Sequence, residues 1–339
     1  MENTKELRKS LDKRNFYTVK DTGRVYLYAL ILPLAIGIVF CYISMAIVLG
    51  TGYTFPENSN AIVVMFNEFI WFAILYSFLT QIVFISIFFC YNKTNRIKYS
   101  ACNISFKQAN VWSVLLSAVV GIVCVLGFIW LIEGCFGGLF EVMGIDTEAS
   151  VSLPLNTVGW YFVNLLILGI VPAICEELIF RGIIFQGLKE RFSKVVSVLL
   201  SALMFALMHQ NIVQFIYPFI LGCVLAVVMD RTNNLLYPMI IHFFNNFTTI
   251  TISFLANIKA IDLSFNLTWW FILLAIFLAG LTCVLLWLLD KYYLRKHKKV
   301  EVEKTGELTQ TPPISVGKFP ITVICGIVVA LVILIVNAV

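Results

Sequence analysis

Nine apolar runs, most of them long enough to cross a bilayer, leave this 339-residue chain little choice of fold. They cover residues 25–50, 66–90, 109–132, 157–189, 195–210, 213–229, 236–256, 268–289 and 319–339. About 20 apolar residues in a helix span roughly 30 Å of hydrocarbon. In that medium every backbone N–H and C=O must be bonded within the protein, which an α-helix does by itself. Composition agrees: 60% of the residues are hydrophobic and 13% charged, where a soluble domain carries about a quarter charged. The expectation is an all-α, polytopic transmembrane bundle of about nine helices, with no room for a large soluble domain.

Charge supplies the sidedness, because cytoplasmic loops hold the excess of Lys and Arg. Residues 1–24 are polar and basic, and the run after them is too long for a signal-peptide core, so the N-terminus is expected in the cytoplasm. Segments 51–65 and 134–156 hold no Lys or Arg, whereas 92–108, 189–194, Arg231 and the cluster Lys291 to Lys299 are basic. Alternation survives only if 195–229 is two short helices broken at His209, Gln210 and Asn211. The chain divides into a basic segment 1–24, N-terminal helices 25–150, a core 151–256, an eighth helix with its basic end 257–299, a linker 300–318 around Pro312 and Pro313, and an added helix 319–339. The net charge of +5 sits beside apolar runs, where it meets anionic headgroups. Membrane lipids are therefore expected partners, and nucleic acid is not. The nine cysteines are scattered, and those in apolar runs read as small core residues.

Against this background a few polar residues stand out, since an ionisable group in hydrocarbon costs about 2.5–3.5 kcal/mol on insertion scales. Glu176 and Glu177 are adjacent in one run, and Glu177 and Arg181 form an i, i+4 pair on one helix face. Glu176 points about 100° away, free to face a cavity. Two of the three histidines, His209 and His242, also lie in apolar runs, and Asn246 follows His242 by one turn with Asn245 beside it. Counted from the inner helix ends, Glu176 and His209 lie at about 21 and 22 Å, Asn246 at about 18 Å and His242 at about 12 Å. Each residue alone reads as polar glue between helices. Two acids and two histidines in one slab read better as a base and polarising donors converging on a water. Asp230 and Glu68, near helix ends, receive no role.

Three ordered motifs carry a resemblance: Glu176-Glu-Leu-Ile-Phe-Arg181, Phe205-Ala-Leu-Met-His209 and His242-Phe-Phe-Asn-Asn246. Over roughly residues 155–255 the sequence resembles the CAAX protease and bacteriocin-processing family of intramembrane glutamic peptidases, Ras-converting-enzyme type, whose pattern is E-E-x-x-x-R, F-x-x-x-H and H-x-x-x-N. The resemblance implies that Glu176 activates water with His209 assisting, that His242 and Asn246 stabilise the oxyanion, and that Glu177 and Arg181 support the site. It implies no cofactor and a membrane-associated peptide or protein substrate, in the cell membrane of a bacterium. Residues 1–150 and 260–339 carry no motif of the family.

Three alternatives remain. A zinc peptidase would use Glu176, His209 and His242 as ligands, although no H-E-x-x-H is present. A non-enzymatic bacteriocin-immunity or scaffolding protein would keep the cavity for binding a membrane partner. A proton- or ion-coupled carrier would use Glu and His as a relay, but the chain has no internal repeat.

Overall fold

In a computed structural model, residues 13–57, 59–107, 109–142, 153–211, 215–261, 269–305 and 321–338 are described. All of the secondary structure named among them is helical, apart from one isolated bridge between Arg14 and Ile97. In chain order the helices are α1 Val19–Gly50, α2 Ala61–Glu68, α3 Ile70–Thr94, α4 Val111–Val142, α5 Val158–Lys189, α6 Lys194–Met208, α7 Ile216–Thr232, α8 Leu236–Asn257, α9 Trp269–Thr305 and α10 Ile321–Ala338. Six, namely α1, α3, α4, α5, α8 and α9, contain stretches long and apolar enough to cross a membrane. The protein is a multi-pass membrane protein. The runs 195–210 and 213–229 are separate helices that pack on each other.

Helix boundaries differ from the hydropathy limits in two instructive places. The first helix begins at Val19, not at residue 25, because Thr18 caps it: the Asp21 N–H donates to the Thr18 hydroxyl, and the Asp21 carboxylate accepts from the Thr18 N–H. Helix α9 runs on to Thr305, through the basic cluster and into the stretch expected as a linker. A helix satisfies its own backbone in water as in lipid, so hydropathy marks where the apolar part ends and not where the helix does. The remainder of that linker, and residues 1–12, lie outside the described residues.

Four segments expected on one side of the membrane meet at one face. The Arg14 and Lys98 N–H groups bond the Arg96 and Arg14 carbonyls at 3.0 and 2.9 Å, and the Leu235 N–H donates to the Asn103 carbonyl at 2.9 Å. Glu190, after α5, accepts from the Val19 N–H at 2.8 Å. Behind this face α5 runs against α1, α3 and α8, α4 packs on α8 and α9, and α10 lies on α1 and α6. The tightest approach of the last helix is at Gly23, where an added Cβ would stand 2.2 Å from the Thr322 hydroxyl oxygen.

Candidate active site

Helix α5 carries the two acids on an α-helical segment, Val171–Ile179, bracketed by π-helical stretches Leu165–Ile170 and Phe180–Ile184. Such widened turns cluster at functional sites because they re-aim side chains and leave carbonyls without their usual partner. At Leu168 a proline adds a separate reason for a carbonyl to look outside the helix. The residue four on is Pro172, which has no N–H, and the Leu168 carbonyl accepts instead from Asn246 Nδ2 at 3.1 Å.

Glu177 and Arg181 are both fully buried, with Arg181 Nη1 2.7 Å from Glu177 Oε1. The arginine also donates to the Gly222 carbonyl at 3.2 Å and lies over the Phe205 ring at 4.5 Å. Gly222 also lets α7 lie close against α6, since a Cβ there would come within 2.9 Å of the Ala202 backbone. The same Glu177 Oε1 is 2.9 Å from His242 Nδ1. A carboxylate oxygen accepts, so Nδ1 carries a hydrogen and Nε2 is the ring atom turned toward Glu176, 4.0 Å from its Oε2.

His209 is the residue just past the end of α6, one position beyond the helix in which the sequence suggested it. Its Nδ1 lies 3.0 Å from the Phe205 carbonyl, which can only accept, so its Nε2 is left as a lone-pair acceptor in the neutral ring. Glu176 and His209 line one cavity of about 300 Å³, and the Glu176 side chain is 18% exposed. Across it stand Leu30 and Pro33 of α1 and Tyr76 and Thr80 of α3.

Glu176, Glu177, Arg181, His209 and His242 are thus brought into one neighbourhood. Asn246 is committed differently: one amide hydrogen goes to Leu168, and its Oδ1 accepts from Asn245 Nδ2 at 3.1 Å, while Asn245 accepts from the Tyr217 hydroxyl. Its second amide hydrogen is not used by either contact. Two contributors escaped the reading of the sequence. Phe205 enters the sequence reading only as part of a motif, yet Arg181 lies over its ring and the rings of His209 and His242 stand nearly perpendicular to it at 5.0 and 5.8 Å. The helix signal, four residues before a histidine, was available for it. The wall from α1 and α3 had no such signal. Asp230 has a structural partner in Lys189, at 2.8 Å.

Residues 158–248 match the family model described as Rce1-like, type II CAAX prenyl endopeptidase. This segment belongs to the Rce1-like family. The match lies within the core expected at 151–256 and contains all three motifs, so the Rce1-like segment carries a CAAX-type intramembrane protease in general terms. No curated protein and no solved structure matches the chain. Among the described residues, no three His, Cys, Asp or Glu side chains are grouped to hold a metal ion. Glu176, His209 and His242 do not form a ligand set around one point.

Proposed function

We infer that the Rce1-like segment makes this chain a glutamic endopeptidase, hydrolysing peptide bonds of membrane-associated substrates in the cell membrane of a bacterium. The observation that carries the reading is that the Glu176 carboxylate and the His209 ring line one partly closed cavity, with His242 Nε2 4.0 Å from Glu176 Oε2. Glu176 takes a proton from a water whose second hydrogen is accepted by His209 Nε2. The water oxygen attacks the scissile carbonyl carbon. The oxyanion that forms accepts from a protonated His242 Nε2 and from the unused Asn246 amide hydrogen, each such donor being worth about 10²–10³ in rate. Glu176 then passes its proton to the leaving nitrogen as the C–N bond breaks, giving a carboxylic acid and an amine.

Charge counting supports this assignment. Glu176, Glu177 and Arg181 sum to one negative charge, which a protonated His242 cancels, and a buried cluster persists when its charges balance. Glu177 positions the imidazole, and Arg181 balances Glu177. The cytoplasmic side for the face that joins the N-terminal segment to the 95–105 loop follows from its basic residues.

Comparative peptidomics of cells carrying the wild type or Glu176→Gln tests the reading, with chelator present and absent. Gln keeps the shape and removes the base, so at least one cleaved peptide is expected to disappear while chelator changes nothing. If every cleavage survives in a well-expressed Glu176→Gln protein, the site serves binding instead. If activity vanishes on chelation and returns with zinc, the glutamate-only mechanism falls.

A further inference from the structure

The cavity has two walls of different origin. Its polar wall, Glu176 and His209 with Phe205 between the rings, comes from the Rce1-like segment. Its apolar wall comes from α1 and α3, both outside that segment: Ala29, Leu30, Pro33 and Leu34 on one helix, Tyr76 and Phe84 on the other. No formal charge stands on this second wall, and the Thr80 hydroxyl on it is already turned back to the Ser77 carbonyl at 2.8 Å. At about 300 Å³ the space is at the small end of ligand pockets, which run about 300–1,000 Å³. That is room for one apolar side chain with its flanking backbone and the attacking water, whose own share is about 30 Å³.

Tyr76 is the largest side chain on the apolar wall and cannot withdraw. Its ring lies 5.2 Å from Phe66, 6.1 Å from Phe72 and 6.3 Å from Phe40, a cluster that closes off its far side. On the α1 side it rests against Gly37, where an added Cβ would be 3.1 Å from both its hydroxyl and its ring edge. A large ring packed on two sides and lining the same small cavity as the attacking carboxylate is a size gate, because a wall that cannot yield converts excess substrate volume directly into strain.

We propose that Tyr76, clamped between Gly37 and the Phe40, Phe66 and Phe72 cluster, limits the size of the apolar side chain that a peptide substrate places next to the bond attacked from Glu176. The proposal rests on the peptidase reading and adds to it the residue that sets an upper size limit at the site, a residue supplied from outside the Rce1-like segment. Reaction groups and selection groups then come from different parts of the chain, and the second can vary without touching the first.

The purified full chain in detergent is incubated with a proteome-derived peptide library, and cleavage sites are profiled by mass spectrometry. Wild type, Tyr76→Phe, Tyr76→Ala, Gly37→Ala and Glu176→Gln are compared, with thermal unfolding run in parallel. Tyr76→Phe keeps the volume and is expected to keep the wild-type profile. Tyr76→Ala enlarges the space and is expected to raise cleavage beside Phe and Trp relative to Val by about tenfold or more, the order that one or two methylene-sized changes produce in an apolar pocket. Gly37→Ala drives the ring inward and shifts the profile toward Ala and Gly. This second variant reads in the opposite direction and creates no cavity, so it decides the matter even if Tyr76→Ala does not fold. Cleavage that depends on Glu176 but has one profile across the folded Tyr76 and Gly37 variants overturns the gate and leaves the peptidase reading standing. Absence of any Glu176-dependent cleavage by wild type overturns the peptidase reading, and the gate with it.

Discussion

Two of the carboxylate–arginine pairs among the described residues, Asp21–Arg14 and Glu177–Arg181, have surroundings that differ in the way that separates a clasp from a catalytic support. At the start of α1, Asp21 accepts from Arg14 at 2.9 and 3.0 Å, from the Tyr91 hydroxyl at 2.6 Å and from the Thr18 N–H and hydroxyl. Each of those donors belongs to a segment that must be held, and neither Asp21 oxygen is turned to a cavity. Nearby, the Tyr17 hydroxyl donates to Asn92 at 2.9 Å and completes the join of the N-terminal segment to α3. In α5, Glu177 places both of its named partners, Arg181 and His242, on one oxygen, while its Oε2 is buried without a partner. The imidazole it holds looks onto Glu176. A saturated carboxylate holds chain segments together, whereas an unevenly bonded one at a cavity edge sets the orientation of a neighbour that can react.

The largest effect that tests this contrast is at Glu177. Glu177→Ala leaves Arg181 charged and unpaired among Gly222 and Phe205, a change expected to cost about 3–5 kcal/mol. It also frees the His242 ring, so activity should be lost even at temperatures where the protein is still folded; unfolding curves and peptide cleavage measured side by side check both. Full activity in the folded variant would mean that Glu177 is a clasp like Asp21.

A smaller loss is expected at the other pair. Asp21→Ala deprives the Tyr91 hydroxyl and the Thr18 cap of their acceptor, worth about 1–3 kcal/mol. Because no atom of this cluster lines the cavity, the rate per folded molecule should match the wild type, as read by kcat after correction for the folded fraction. A drop in kcat without unfolding would break the distinction between the two clusters.

The smallest effect is chemical. Cys102, in the 3₁₀ turn Tyr99–Cys102 under the N-terminal segment, is buried and donates to the Tyr99 carbonyl at 2.9 Å. Burial pushes its thiol above the ordinary range. A raised value means less thiolate at pH 8, so alkylation by iodoacetamide should be slower than in the denatured chain by about tenfold or more, and should speed up as pH climbs. In Asp21→Ala the rate should move part of the way toward the denatured one, since Tyr17 and Cys102 share a buried cluster with the start of α1. Mass-spectrometric labelling time courses measure this, and an unchanged rate would show that the clasp does not cover the turn.

Much of this was legible beforehand because hydrophobicity and helical period act within a segment. The apolar runs became helices, the doubtful break near Gln210 became a real one, and the i, i+4 spacing of Glu177 and Arg181 became an ion pair at 2.7 Å. Three motifs in order were enough to find the Rce1-like segment. Helix ends were less legible where a polar helix continues beyond the lipid-facing part, as α9 does, or begins early on a cap, as α1 does.

What the amino-acid order by itself determined is the membrane class, the helices and the set of polar residues too costly to be there by chance. What only the tertiary structure decided is which of them meet. That Glu177 holds His242, that Asn246 donates to the Leu168 carbonyl, that Phe205 meets Arg181 and two histidines and that Tyr76 and Glu176 line one cavity all depend on how helices meet. Spacing along one helix places side chains on a face, but the rotation and shift of one helix against another come from the packing of every side chain between them, and no local pattern records that sum.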